Sequence, residues 1–230
     1  MVRFVLNIDQ KRQVLQRFFS LLAGESSEET KVLCIQCLVQ PLLSHHLSGV
    51  LKSGDSKEGE SSKSEDSNLT LVDQSVIERF SKEVLFPNGS PINCGDRLKV
   101  ELLKILNLFV HYAPGAVEPA RKEVVKFCWG LLKSEDTSCK GWGHLVLSRF
   151  IVAFDTAEKI VLQVFGALLR AHQPEGRELV REALDVLVPA LPKRLSEAEF
   201  QKAIDEATKM ILEDNNSIPQ LAHVCLVSTI

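Results

Sequence analysis

The sequence predicts an all-α protein, an α-solenoid of HEAT-like helical hairpins with about ten helices. Segment after segment places its apolar residues three and four apart, on one helical face, and no run alternates as a strand does. Proline and glycine gather at the joins between these segments, as at Ala113-Pro-Gly115 and Gln173-Pro174. Helix starts near 98, 117, 140, 157, 177 and 197 fall about twenty residues apart. Two helices per ~40 residues is the period of HEAT and armadillo arrays.

The first helix spans Ile8 to Leu22, with Val14, Leu15, Phe18, Phe19 and Leu22 on one face and Gly24 as its stop. Ser26-Ser-Glu-Glu-Thr30 opens the second, its acids opposing the positive end of the helix dipole. Pro41 is expected to kink or break that helix, because proline lacks a donor and crowds the preceding turn. Lys52 to Asn68 contains no apolar residue. It cannot bury enough surface to offset chain entropy, which predicts a disordered acidic, serine-rich insert. Helical repeats are therefore expected over 1–51, the insert over 52–68, and the array again over 69–230.

Leu69 to Phe86 carries Val72, Val76, Phe80 and Val84 at spacing four, then the dense turn Pro87-Asn-Gly-Ser-Pro91. Arg97 to Tyr112 is the most apolar helix, with Leu98, Leu102, Ile105, Leu106 and Phe109 buried. Val117 to Leu132 tolerates Pro119 in its first turn. Trp142 to Phe154, Ala157 to His172, Arg177 to Leu187 and Glu197 to Leu212 follow, the third closed by Pro189 and Pro192. Ile218 to Ile230 reads as a last apolar helix with nothing after it to cover its face, which predicts a longer array.

The hydrophobic share of 45% suffices for a core, and the net charge of −3 supplies no basic field for nucleic acid. No apolar run approaches the ~20 residues that span a bilayer. Protein partners are expected, with no direct nucleic-acid, membrane or small-molecule ligand.

The motif search points away from catalysis. Cys34-Ile-Gln-Cys37 has the C-x-x-C spacing, but zinc needs four converging ligands and there is no second pair. It sits in an apolar helical run, so both thiols read as core residues, and Cys139 as part of a polar loop. The six histidines are scattered. His111 and His172 read as helix C-terminal residues that favour the dipole's negative end. No phosphate loop, dinucleotide fingerprint, zincin or kinase signature occurs. No catalytic residue, metal ligand or cofactor is expected.

Candidate partner-binding residues are few. Lys122, Lys126 and Lys133 recur at helical spacing with Arg121 beside them, and Lys193-Arg194 follows the paired prolines. Ordinary solvated helix faces carry the same charges. Trp129 and Trp142 flank a polar loop, where they either anchor a partner or bridge adjacent repeats.

The run Phe109-Val-His-Tyr-Ala-Pro-Gly-Ala-Val-Glu-Pro-Ala-Arg-Lys-Glu-Val-Val-Lys-Phe-Cys-Trp129 and the run from Glu158 to Leu195 resemble the helical-repeat region of the TRRAP family. The resemblance is strong over 98–195, is seen again from Arg3 to Phe19, and is less close over 54–67, 138–150 and 196–212. Members of that family are giant scaffolds of histone acetyltransferase complexes, related to PI3-kinase-like kinases. Their kinase-shaped domain lies outside the helical region and lacks catalytic residues. The resemblance implies a nuclear scaffold whose array holds activators and subunits in register. A HEAT-type adaptor for transport or phosphatase complexes, or a truncated remnant without function, stays open beside it.

Overall fold

The computed structural model describes residues 7–54, 71–171 and 174–213. Every element among them is helical, and the chain divides into two compact units, 1–127 and 128–230.

In the first unit, α1 (Ile8–Ala23) starts at a capping box. Asn7 Oδ1 accepts from the Gln10 amide at 2.8 Å, and Gln10 Oε1 accepts from the Asn7 amide at 3.0 Å. Ser27 caps α2 (Glu28–Cys34). The helix then widens into a π turn, Ile35–Val39, and runs on as α3 (Gln40–Gly54). The expected break at Pro41 does not occur. The proline ring would crowd the carbonyl four residues back, and that carbonyl belongs to the widened turn, which makes room for it.

Asp73 caps α4 (Gln74–Arg79), so this helix begins later than the apolar spacing suggests, and it too continues into a π turn, Phe80–Leu85. Next comes α5 (Asp96–Tyr112), close to its expected span. The helix expected from Val117 is instead three pieces: α6 (Pro114–Val117), a 3-10 turn Glu118–Ala120 holding Pro119, and α7 (Arg121–Leu131). The division between the units falls within α7.

α1 packs on the second π turn, and α2 and α3 pack on α5. Three fully buried rings join these layers: Phe19 lies 5.3 Å from Phe80, and Phe80 meets Phe109 edge-on at 5.5 Å.

In the second unit, Asp136 caps α8 (Thr137–Ala153), its carboxylate accepting from the Cys139 amide at 2.7 Å. The helix therefore starts before the expected Trp142, and Cys139 is a fully buried first-turn residue rather than part of a polar loop. α8 is enclosed on all sides, with Gly143 to Ser148 buried without interruption. α9 (Glu158–Arg170) and α10 (Arg177–Leu187) follow. Pro189 and Pro192 then sit near the starts of a 3-10 turn (Val188–Ala190) and a single helical turn, α11 (Leu191–Arg194), where a missing donor costs nothing. α12 (Glu197–Glu213) ends the described residues.

α8 packs along α10, and α9 packs against α11 and α12. Gly141 permits the first contact: a Cβ there would lie 2.9 Å from Leu179 Cδ1 and 3.2 Å from Leu179 Cβ. From residue 55 onward the predicted insert lies outside the described residues, as do His172, Cys225 and the predicted last helix from Ile218.

Candidate interaction surface

The basic residues of α7 divide by role. Arg121 is half-buried and pairs with Glu118 at 3.1 Å. Lys122 and Lys126, one turn apart and exposed, wall a groove of about 340 Å³ in the first unit. Ser81, Lys82 and Phe86 at the end of the second π turn line it too, with Asn88, Gly89 and Glu123.

Local sequence shapes this groove. Phe86 leaves the helix at φ −128°, ψ 57°, while its amide donates back to the Ser81 carbonyl at 2.9 Å. Asn88 and Gly89 both take positive φ, 59° and 76°, which Asn and Gly tolerate best. The Ile92 amide closes the turn onto the Leu85 carbonyl at 2.8 Å. The buried Phe86 ring meets Phe127 edge-on at 6.3 Å and carries Lys126 Nζ 5.3 Å above its centroid.

The remaining candidates lie in the second unit. Lys193 is exposed. Arg194 holds α11 to the end of α8, with Nη2 donating to the Val152 carbonyl at 2.7 Å and Nη1 3.5 Å from Asp155. Trp129 and Trp142 are both half-buried. A groove of about 640 Å³ between α9 and α12 mixes Lys159, Arg170 and Lys202 with Glu158, Glu199 and Glu206, so it favours neither sign.

The polar interior is sparse. Burial lowers the His144 pKa to about 4, with the Lys140 charge adding to the effect, so the imidazole is neutral near pH 7. Cys34 is buried as expected, but Cys37 is exposed. Burial raises the Cys34, Cys94 and Cys128 thiols, Cys94 to about 11 with help from Glu28, and keeps them protonated and poorly nucleophilic. His111 is exposed in the last turn of α5, against Tyr112. Among the described residues no cluster of three or more His, Cys, Asp or Glu is placed to hold a metal, and no helix is long and apolar enough to cross a membrane.

Residues 3–227 match the family model of the Tra1 HEAT repeat ring region. The chain belongs to this family. It is 31% identical over 220 residues to the probable transcription-associated protein 1 of Dictyostelium discoideum, covering 94% of this chain and 4% of that protein. It is 31% identical over 228 residues to the human transformation/transcription domain-associated protein, covering 95% of this chain and 6% of that one. A yeast relative, from Saccharomyces cerevisiae, is the SAGA complex/NuA4 acetyltransferase complex subunit TRA1, 38% identical over 122 residues, 53% of this chain and 3% of that protein. The chain thus spans a small part of each relative's length. No solved structure matches it.

For a member of the Tra1 ring family, the all-α HEAT assignment and the transcription-associated kinship therefore stand. Spacing alone placed Lys122 and Lys126 on one helix face. It did not show that Ser81, Lys82 and Phe86 meet them, although the Phe-Pro-Asn-Gly turn marks the place where the chain bends away.

Proposed function

We propose that this Tra1 ring segment is a non-catalytic scaffold piece of a nuclear transcription coactivator, one that binds activators and subunits of a histone acetyltransferase complex. The observation that carries the reading is the family match over 3–227, together with a yeast relative named as an acetyltransferase complex subunit. The chemistry on the page is consistent with it: thiols held protonated, a histidine held neutral, and basic side chains at the surface of helical repeats. Such an array acts by position. Helix faces hold partners at fixed separations, and no bond is made or broken.

The test is affinity purification of the longer protein containing this segment, with mass spectrometry of what co-purifies. Acetyltransferase and adaptor subunits are expected. Recovery of transport cargo or phosphatase subunits in their place overturns the reading.

A further inference from the structure

The groove at the end of the second π turn gathers three lysines from two distant stretches, Lys82 after α4 and Lys122 and Lys126 on α7, against the single acid Glu123. Lys82 reaches Glu78 at 3.1 Å in an exposed pair, weak enough to exchange for another anion. Neither Lys122 nor Lys126 has an ion-pair partner among the described residues. Lys126 is steadied by the Phe86 ring beneath it. A fourth group completes the site. Ser81 is 3% exposed, and its hydroxyl oxygen is buried with no hydrogen-bond partner. A buried hydroxyl left unpaired is costly, and a ligand oxygen would satisfy it.

Three ammonium groups and one hydroxyl donor around a small groove suit an anion of high charge with several acceptor oxygens. A phosphate monoester offers three oxygens and close to two charges, more than one carboxylate supplies. A nucleic-acid backbone needs a basic track of many residues, whereas this groove is short and the chain's net charge is −3. We infer that the groove of Ser81, Lys82, Phe86, Asn88, Lys122 and Lys126 binds a phosphorylated serine or threonine in a segment of a partner protein. The inference rests on the proposed scaffold role only in that the ligand belongs to a protein.

The experiment uses the full 230-residue chain and fluorescence anisotropy. The probes are a labelled library of acidic hexapeptides centred on phosphoserine and the same library without phosphate. The phosphorylated library is expected to bind at least about tenfold more tightly. Lys122→Gln with Lys126→Gln is expected to remove at least about tenfold of that affinity while leaving the thermal midpoint unchanged, since both side chains are exposed. Ser81→Ala is expected to weaken binding several-fold, whereas Lys133→Gln with Lys193→Gln, outside the groove, should leave it unchanged. Equal binding of the two libraries, full affinity in the Lys122/Lys126 variant, equal loss in the Lys133/Lys193 variant, or preference for a single-stranded oligonucleotide each overturns the inference. Subunit recovery by the longer protein is read separately, so failure of the peptide assay leaves the scaffold role standing.

Discussion

The Gln36 side-chain amide donates to the Glu101 carboxylate at 2.8 Å, across 65 residues of sequence. Gln40 Nε2 donates to the other oxygen at 3.1 Å, and Lys104 Nζ lies 2.9 Å from the first. Glu101 is 3% exposed, so α5 is tied to the π turn and the start of α3 by a buried, fully partnered charge. Glu101→Ala removes the common acceptor and is expected to cost about 2–3 kcal/mol, since it leaves two amides and one ammonium without it. Urea denaturation of the two proteins measures this. A loss below about 0.5 kcal/mol, the size of an ordinary surface substitution, contradicts it.

Gly141→Val tests the close approach of α8 and α10. The added carbons enter the space of Leu179, and overpacking of this kind costs about 1–3 kcal/mol. Pairing the change with Leu179→Ala should recover part of that loss, because the smaller side chain vacates the contact. A double-mutant cycle in denaturant reads the coupling, and strictly additive losses would show that the two residues do not compete for space.

His144 predicts a pH dependence. Its folded pKa is lowered to about 4, while an unfolded histidine titrates near 6.5. Between these values the unfolded chain takes up a proton that the native chain does not. The stability tied to His144 is therefore present in full above about pH 6.5 and declines as pH falls towards 4, by about 3 kcal/mol at most. His144→Gln carries no such proton, so its stability should fall less between pH 7 and pH 4.5 than that of the parent. Parallel slopes for the two proteins would show that His144 titrates normally when folded.

Leu106→Asp places a charge where the parent side chain is 1% exposed, in the helix that carries Phe109 of the aromatic core. An unpaired buried charge costs roughly 3–5 kcal/mol, enough to unfold the first unit. Loss of protection in amide hydrogen exchange is expected across α1 to α5. Confinement of that loss to the ends of α5 would show that the core absorbs the charge locally.

The helical class and most element positions were readable from the chain because their causes are local. A one-sided apolar face at spacings of three and four is present in the covalent order, and so are the prolines and glycines between helices. The ends of α1, α5, α10 and α12 fall close to where that pattern put them. α8 started earlier than expected because Gly141 and Gly143 weaken local helix propensity, while the Asp136 cap and the packing of Gly141 on Leu179 favour the helix. Cys139 was misplaced for the same reason. Pro41 misled because the π turn that accommodates it has no simple sequence signature.

By itself the sequence determined the all-α class, the helical period, the one-turn spacing of Lys122 and Lys126, and the kinship that residues 3–227 display. Only the tertiary structure decided which distant residues became neighbours. It brought Gln36 and Gln40 to Glu101, and Ser81, Lys82 and Phe86 to Lys122 and Lys126. Periodicity states which face of a helix is buried, since burial of that face drives folding. It does not state which face of another helix lies opposite, because many apolar stripes are interchangeable until close packing selects one arrangement.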